Sequence, residues 1–243
     1  MRTRITHRSA FVPALIAFCF SCVAGRSADV TVLDLKDPSR WREPIGEWIT
    51  ASSVKLHPTN AKQFAIEAGA GVFVNGAKGK TVNLITQDEF GDCEAHVEFC
   101  VPKNSNSGIY FLGRYEVQVF DSFGVAKEKY SDCGGIYMSC SDPKPDSTGT
   151  PPKINASKAP GEWQSFDVIF RAPRFDANGK KTENAKFIRV AHNGVVVHEN
   201  VESPRPTCAA WKLDEKPKGP IMLQGDHGPV AYRNVRIKAV NLE

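Results

Sequence analysis

Residues 104–124 read NSNSGIYFLGRYEVQVFDSFG. Side chains of a β-strand alternate between the two faces of its sheet. From Arg114 to Phe120 that alternation puts Tyr115, Val117 and Val119 on one face and Arg114, Glu116 and Gln118 on the other. A strand of this kind belongs to an antiparallel sheet with one face on a core and one face lined by hydrogen-bonding groups. Gly113 separates it from a preceding strand over Ile109–Leu112, as a bulge or a turn.

Outward from this stretch the same grammar recurs. Asp92–Val101 alternates Cys93, Ala95, Val97, Phe99 and Val101 against Glu94, His96, Glu98 and Cys100. KFIRVAHNGVVVHEN (186–200) is a hairpin, because Asn193-Gly194 between two apolar runs suits a two-residue turn with positive φ. FAIEAGAGVFVNG (64–76) holds a strand and an Asn75-Gly76 turn, EWQSFDVIFRAP (162–173) a strand, and CGGIYMSC (133–140) a short one. Two more flank Gly225–Gly228. Residues 141–161 and 203–219 read as long loops, and loops of that length in compact domains are often functional. Helix signals are weak, and no repeat of fixed period is visible. The pattern predicts an all-β fold of twelve to fifteen strands in two stacked antiparallel sheets, a jelly-roll sandwich.

The chain has 243 residues and a formal net charge of +4. Arg2, Arg4 and Arg8 precede the apolar run SAFVPALIAFCFSCVAG (9–25), the layout of a secretory signal peptide and short for a membrane span. Cleavage is expected between residues 25 and 28, leaving residues 29–243 as a single domain with no stable transmembrane span. Loss of the leader leaves 28 basic against 27 acidic residues. No basic patch interleaved with aromatics appears, so nucleic acid is not an expected partner. Export to the periplasm or the extracellular space is expected, and it permits disulfides. Cys93, Cys100, Cys133, Cys140 and Cys208 remain after cleavage, so at least one thiol stays free or pairs between chains. Cys93 and Cys100 are about 23 Å apart on one strand and cannot bridge each other. Sequence assigns no other pairing.

The row Arg114, Glu116, Gln118 suits a groove that binds polyols. Glycosidases with two carboxyls need them about 5–9.5 Å apart, and residues i and i+2 on one strand would meet that. Here position 118 is an amide, which can be neither nucleophile nor acid. Asp121 is out of phase and contributes only where the strand ends or bulges. His227, in LQGDHGP, arrives together with Gln224. His96, His192 and His198 read as ordinary strand or turn residues. Arg233 begins the last strand, where it binds a carboxylate or caps the sheet edge. Of the tryptophans, Trp48 and Trp163 read as core, and Trp211, in a loop, is the better platform for a sugar ring.

SNSGIYFLGRYEVQVFDSFG, the HNG hairpin and GPIMLQGDHGPVAYRNVRI together resemble the 3-keto-disaccharide hydrolase family, also described as 3-keto-glucoside 1,2-lyase/3-keto-2-hydroxy-glucal hydratase. The resemblance spans about Val30 to Val240 and implies a concanavalin A-like fold and a 3-keto-glycoside or oligosaccharide ligand. It implies hydrolysis, or loss of the C2 proton and of the glycosidic oxygen followed by hydration. On that reading Glu116 is the base or acid, His227 its complement, and Arg114 a charge partner or oxyanion donor. Gln118 reads a hydroxyl, Gln224 and Asp121 orient substrate, and Asn106, Arg233 and Trp211 add contacts. A divalent metal would suit the enolate, but no ligand motif is present, and no cofactor is expected. The competing expectations are a non-catalytic carbohydrate-binding module on the same architecture and a structural exported protein.

Overall fold

The computed structural model describes residues 30–141, 143–144 and 148–243. The leader and its cleavage site lie outside the described residues. Fourteen strands and no α-helix are present among the described residues. In chain order they are β1 (Val30–Leu33), β2 (Ile49–His57), β3 (Asn60–Val74), β4 (Leu84–Phe90), β5 (Cys93–Cys100), β6 (Asn106–Phe111) and β7 (Tyr115–Phe120). Then come β8 (Gln164–Arg171), β9 (Arg174–Phe175), β10 (Lys181–Glu183), β11 (Ala185–His192), β12 (Val195–Ser203), β13 (Gly219–Leu223) and β14 (Ala231–Ala239). An eight-stranded antiparallel sheet runs β12-β11-β8-β5-β14-β3-β2, with β1 also paired to β14. A four-stranded sheet runs β4-β13-β6-β7, and β9 and β10 form a small ribbon.

The two large sheets pack face to face because each presents every second residue as apolar. Ala95, Val97 and Phe99 of β5 and Phe166, Val168 and Phe170 of β8 are buried in one cluster with Ile109 and Phe111 of β6 and Tyr115, Val117 and Val119 of β7. Phe111 stacks on Phe170 with ring centroids 5.1 Å apart and meets Phe187 edge-on. These contacts join the sheets, and fully burying side chains of this size stabilises by about 1.5–3 kcal/mol each. Asn193 and Gly194 turn the β11–β12 hairpin with φ of 51° and 81°, as two-residue turns of this type require.

Two segments differ from the sequence reading. The stretch 133–140, expected as a short strand, forms only isolated bridges, Ile136 with Val117 and with Thr150. Gly134, at a φ of 84°, bends the backbone out of the extended form there, which keeps the pairing short. Arg114 precedes β7 instead of starting it, since Leu112 and Gly113 take φ of 55° and 63° and turn the chain there. Trp41 and Trp48 are core residues, whereas Trp163 is half-buried with the Arg233 guanidinium 4.0 Å above its ring.

Asp92 closes the base of the sandwich. Its carboxylate accepts from the Ala172 and Leu242 amides at 2.8 and 2.9 Å and from both Arg174 terminal nitrogens at 2.8 and 2.7 Å. Burial alone would raise its pKa, but the Arg174 guanidinium and the two amides outweigh that and hold it below the usual carboxylate value. A depressed carboxylate pKa adds stability above the unfolded-state pKa and loses it as pH falls through the folded value. Asp92→Asn is therefore expected to cost about 2–3 kcal/mol at neutral pH. The difference should close only below about pH 4. Urea unfolding of both proteins across that range checks this.

Candidate active site

The outer face of the four-stranded sheet carries the site. β6 and β7 pair antiparallel with Asn106 opposite Phe120, Gly108 opposite Gln118 and Tyr110 opposite Glu116. With Tyr115, Val117 and Val119 committed to the core, Glu116 and Gln118 must face outward, beside Asn106, Gly108 and Tyr110. β13 lies on the other side of β6, with Met222 opposite Tyr110. The next residue but one, Gln224, bonds its amide N–H to the Gly108 carbonyl at 2.9 Å.

Glycine at 108 is a requirement of this arrangement. A Cβ there would lie 2.2 Å from Glu116 Oε1 and 2.9 Å from the Tyr110 ring. The missing side chain makes the space that the Glu116 carboxyl occupies.

Glu116 is only 3 % exposed. Its pKa is pushed up to about 8, chiefly by burial; the Tyr110 hydroxyl's hydrogen bond works against this and the Asp226 charge adds to it. Burial first, then the neighbouring Glu116 charge, raise Tyr110 and Tyr137 as well. The Gln224 side-chain amide donates to the Tyr110 hydroxyl at 3.3 Å, and that hydroxyl lies 3.3 Å from the Cys208 carbonyl. A phenol has one proton to give, so Glu116 and the Cys208 carbonyl compete for it. Asn106 Oδ1 and Gln118 Oε1 are buried without a partner in the protein. An amide end left so costs about 1–3 kcal/mol and calls for an explanation.

Loops wall this face. Gly134 and Gly135 extend the sheet along β7 through hydrogen bonds with Gln118, and the Tyr137 amide donates to the Glu116 carbonyl at 3.2 Å. A disulfide joins Cys140 to Cys208, tying this wall to the 203–219 loop. Cys93, Cys100 and Cys133 are free and buried. The Gly225–Gly228 loop is pinned by Asn75, whose side-chain amide donates to the carbonyls of Gly225 and Gly228 and whose Oδ1 accepts from the Val230 amide. On that loop His227 Nδ1 lies 2.6 Å from Asp226 Oδ1, and both side chains are exposed. The Asp226 charge acts on Glu116 and Tyr110.

The structure thus brings together Glu116, Gln118, Gln224 and Asn106, and His227 sits exposed on the loop beside Asp226. It draws the other expected residues elsewhere. The Arg114 guanidinium turns to the 203–219 loop, donating to the Leu112 and Asp214 carbonyls and to the Asp214 carboxylate at 3.2 Å. Asp121 lies past the end of β7 and accepts from the Asn104 amide at 2.9 Å, which ties it to the segment that leads into β6. Trp211 packs against Gly113, and the Arg42 guanidinium covers its ring at 4.7 Å. Arg233 belongs to the other sheet, where it is ion-paired to Glu98 at 2.6 Å. Sequence reasoning passed over Tyr110, Tyr137, Gly108 and Asp226. Tyr110 and Gly108 carried a signal, since both share Asn106's face at two-residue spacing.

Among the described residues no group of three His, Cys, Asp or Glu side chains is placed to hold a metal ion. The family model of the 3-keto-alpha-glucoside-1,2-lyase-like domain matches residues 29–238. The chain belongs to this family. A Parabacteroides distasonis structure titled "putative glycosyl hydrolase" superposes on this 3-keto-alpha-glucoside-1,2-lyase-like domain with a TM-score of 0.59 and 24 % identity, over 91 % of this chain and 95 % of that one. A second from the same organism, with the same title, gives a TM-score of 0.56 and 18 % identity over 87 % and 100 %. At these identities the likeness establishes the fold. No curated protein matches the chain.

Two outcomes test the geometry. A carboxyl whose folded-state pKa lies above its unfolded value lets the unfolded chain ionise first, so stability falls as pH rises between the two. Between about pH 4.5 and 8 the native protein should lose stability relative to Glu116→Gln, and the gap should level off above pH 8. Urea midpoints at matched pH read this out. Gly108→Ala should cost about 1–3 kcal/mol through overpacking, seen as a lowered urea midpoint.

Proposed function

We propose that the protein is an exported enzyme that cleaves 3-keto-glucosides by elimination and hydration, with Glu116 as the proton carrier. The observation that carries this reading is a single buried carboxyl with a raised pKa, set among amide and phenol groups, in a chain of this family. A C3 ketone acidifies the C2 proton. Ionised Glu116 takes that proton, the electron pair forms the C1–C2 double bond by way of the enolate, and the C1–oxygen bond breaks. The departing alkoxide takes a proton from the Asp226–His227 pair. In the hydration the hydroxyl of a water adds at C1, that water's other proton returns to the Asp226–His227 pair, and the protonated Glu116 gives its proton back to C2, which yields the free 3-keto sugar and restores both groups. Burial makes Glu116 a stronger base once ionised than an ordinary carboxylate. The buried, unpartnered ends of the Asn106 and Gln118 amides suit sugar hydroxyls, and the second N–H of the Gln224 side-chain amide supplies a donor for the enolate oxygen.

This route uses one carboxyl on β7, in keeping with the amide at position 118. The Cys140–Cys208 disulfide and the basic-then-apolar start of the sequence support an oxidising, exported setting.

Purified protein incubated with a 3-keto-glucoside should release the aglycone, followed by mass spectrometry. Its kcat/KM should rise with pH up to about 8 as Glu116 ionises. Glu116→Gln should lower the rate at least about 100-fold. Sugar binding by calorimetry with no product from the native protein would make this a binding module and overturn the proposal.

A further inference from the structure

Three amide side chains surround the glycine over which the Glu116 carboxyl lies. A Cβ at Gly108 would come within 2.2 Å of Glu116 Oε1. Gln118 is opposite Gly108 on β7, and Asn106 is two residues before it on β6. Gln224, which follows β13, is joined to the Gly108 carbonyl by its backbone amide at 2.9 Å. A sugar that brings its C2 carbon to the Glu116 carboxyl therefore has an amide on the β7 side, one on the β13 side and one further along β6.

These amides differ in what they have left to offer. One N–H of Gln224 donates to the Tyr110 hydroxyl at 3.3 Å, and the second is left for the oxygen at C3. Asn106 Oδ1 and Gln118 Oε1 are acceptors, buried and without a partner, and among the described residues no other side-chain carbonyl oxygen is in that condition. The two residues are diagonal neighbours across β6 and β7, about 7–8 Å apart at their Cα atoms, so one small ring can reach both. A 3-keto-glucoside has few protons with which to meet them. Its C3 oxygen is a carbonyl, its C1 oxygen belongs to the bond that breaks, and its C2 hydroxyl sits on the carbon that reacts. The C4 and C6 hydroxyls remain, and they match the two acceptors in number and in kind.

We infer that Asn106 and Gln118 determine specificity by accepting the C4 and C6 hydroxyl protons, one each, and that the enzyme acts only on a chain-terminal 3-keto-glucosyl unit with both hydroxyls free. The inference rests on the elimination reading of the Glu116 site and adds to it which sugar unit is taken. An oxygen in a glycosidic link has no proton to donate, so a unit extended at O4 or O6 leaves a buried carbonyl oxygen unpaired. A uronic unit fares no better. Its C6 carboxylate would meet an acceptor oxygen, the charge that acts on Glu116 is that of Asp226, another carboxylate, and Arg114, two residues before Glu116, is turned to Asp214. Sites built to hydrogen-bond a hydroxyl discriminate sharply against the analogue that lacks it, because the buried partner is then left without one.

The test is kcat/KM of the native protein for a 3-keto-glucoside, for its 4-deoxy and 6-deoxy analogues, and for the same unit carrying a further glucose at O4. Each deoxy analogue should be slower by at least about tenfold, and the O4-extended substrate by about 100-fold or more. Gln118→Leu and Asn106→Leu should each slow the parent substrate, and each should erase the penalty for one deoxy analogue while keeping it for the other. A merely structural role would slow all the substrates alike. Turnover of both deoxy analogues at the parent rate, full activity on the O4-extended unit, or penalties unchanged in both variants would overturn the inference and leave the elimination reading standing. Should the native protein turn over none of these compounds, the elimination reading fails, and calorimetry with the 3-keto-glucoside and its two deoxy analogues decides the recognition by itself. A tenfold or greater loss of affinity on removing either hydroxyl upholds it, and equal affinities or no binding overturn it. If Gln118→Leu fails to fold, Gln118→Met, closer in shape, gives the same comparison.

Discussion

Strand β7 cannot slide in its sheet. Tyr115, Val117 and Val119 fill the space between the two sheets, and a shift of one residue would exchange them for Glu116 and Gln118. A carboxylate and an amide would then sit in the core without partners, at a cost of several kcal/mol, while three large apolar side chains faced outward. The register of β6 against β7 follows from the same requirement. It sets Gly108 beside Glu116, and the space left by that glycine lets a carboxyl group lie almost wholly out of water. The raised pKa of Glu116 is the electrostatic consequence of a packing decision made on the opposite face of the strand.

The loops turn this buried carboxyl into a site. Residues 134–137 are hydrogen-bonded beside β7, and the Cys140–Cys208 bridge fastens the segment that follows to the 203–219 loop. Arg114 holds that loop from the other side through Asp214. Asn75 fixes the turn that carries Asp226 and His227. Three connections distant in sequence therefore converge on one face, and each is tied by a contact that does not itself touch the Glu116 carboxyl. The two large sheets differ in what they present outward: the smaller one uncharged polar groups around one carboxyl, the larger one ion pairs such as His96–Asp167, Arg233–Glu98 and Lys238–Glu94.

Much of this was legible in order along the chain. Alternation gave the strands, Asn193-Gly194 gave a hairpin, and Gln118 in place of a second carboxylate argued against two-carboxylate hydrolysis. The expected site residues that went astray share a cause. Arg114, Asp121, Trp211 and Arg233 are polar or aromatic and sit near the motifs, but their partners, Asp214, Asn104, Arg42 and Glu98, lie from 17 to 169 residues away. Spacing along a strand says which face a side chain takes and nothing about which loop returns to meet it.

The sequence by itself determined that Glu116 and Gln118 lie on the face opposite Tyr115, Val117 and Val119, because the period of a strand is a local property of the backbone. Only the tertiary structure decided that Glu116 is buried and protonated near neutral pH. Its environment is built by Gly108 and Tyr110 from the neighbouring strand, Asp226 from a distant loop and walls closed by a disulfide, and desolvation depends on everything that packs around a group rather than on its neighbours in the chain.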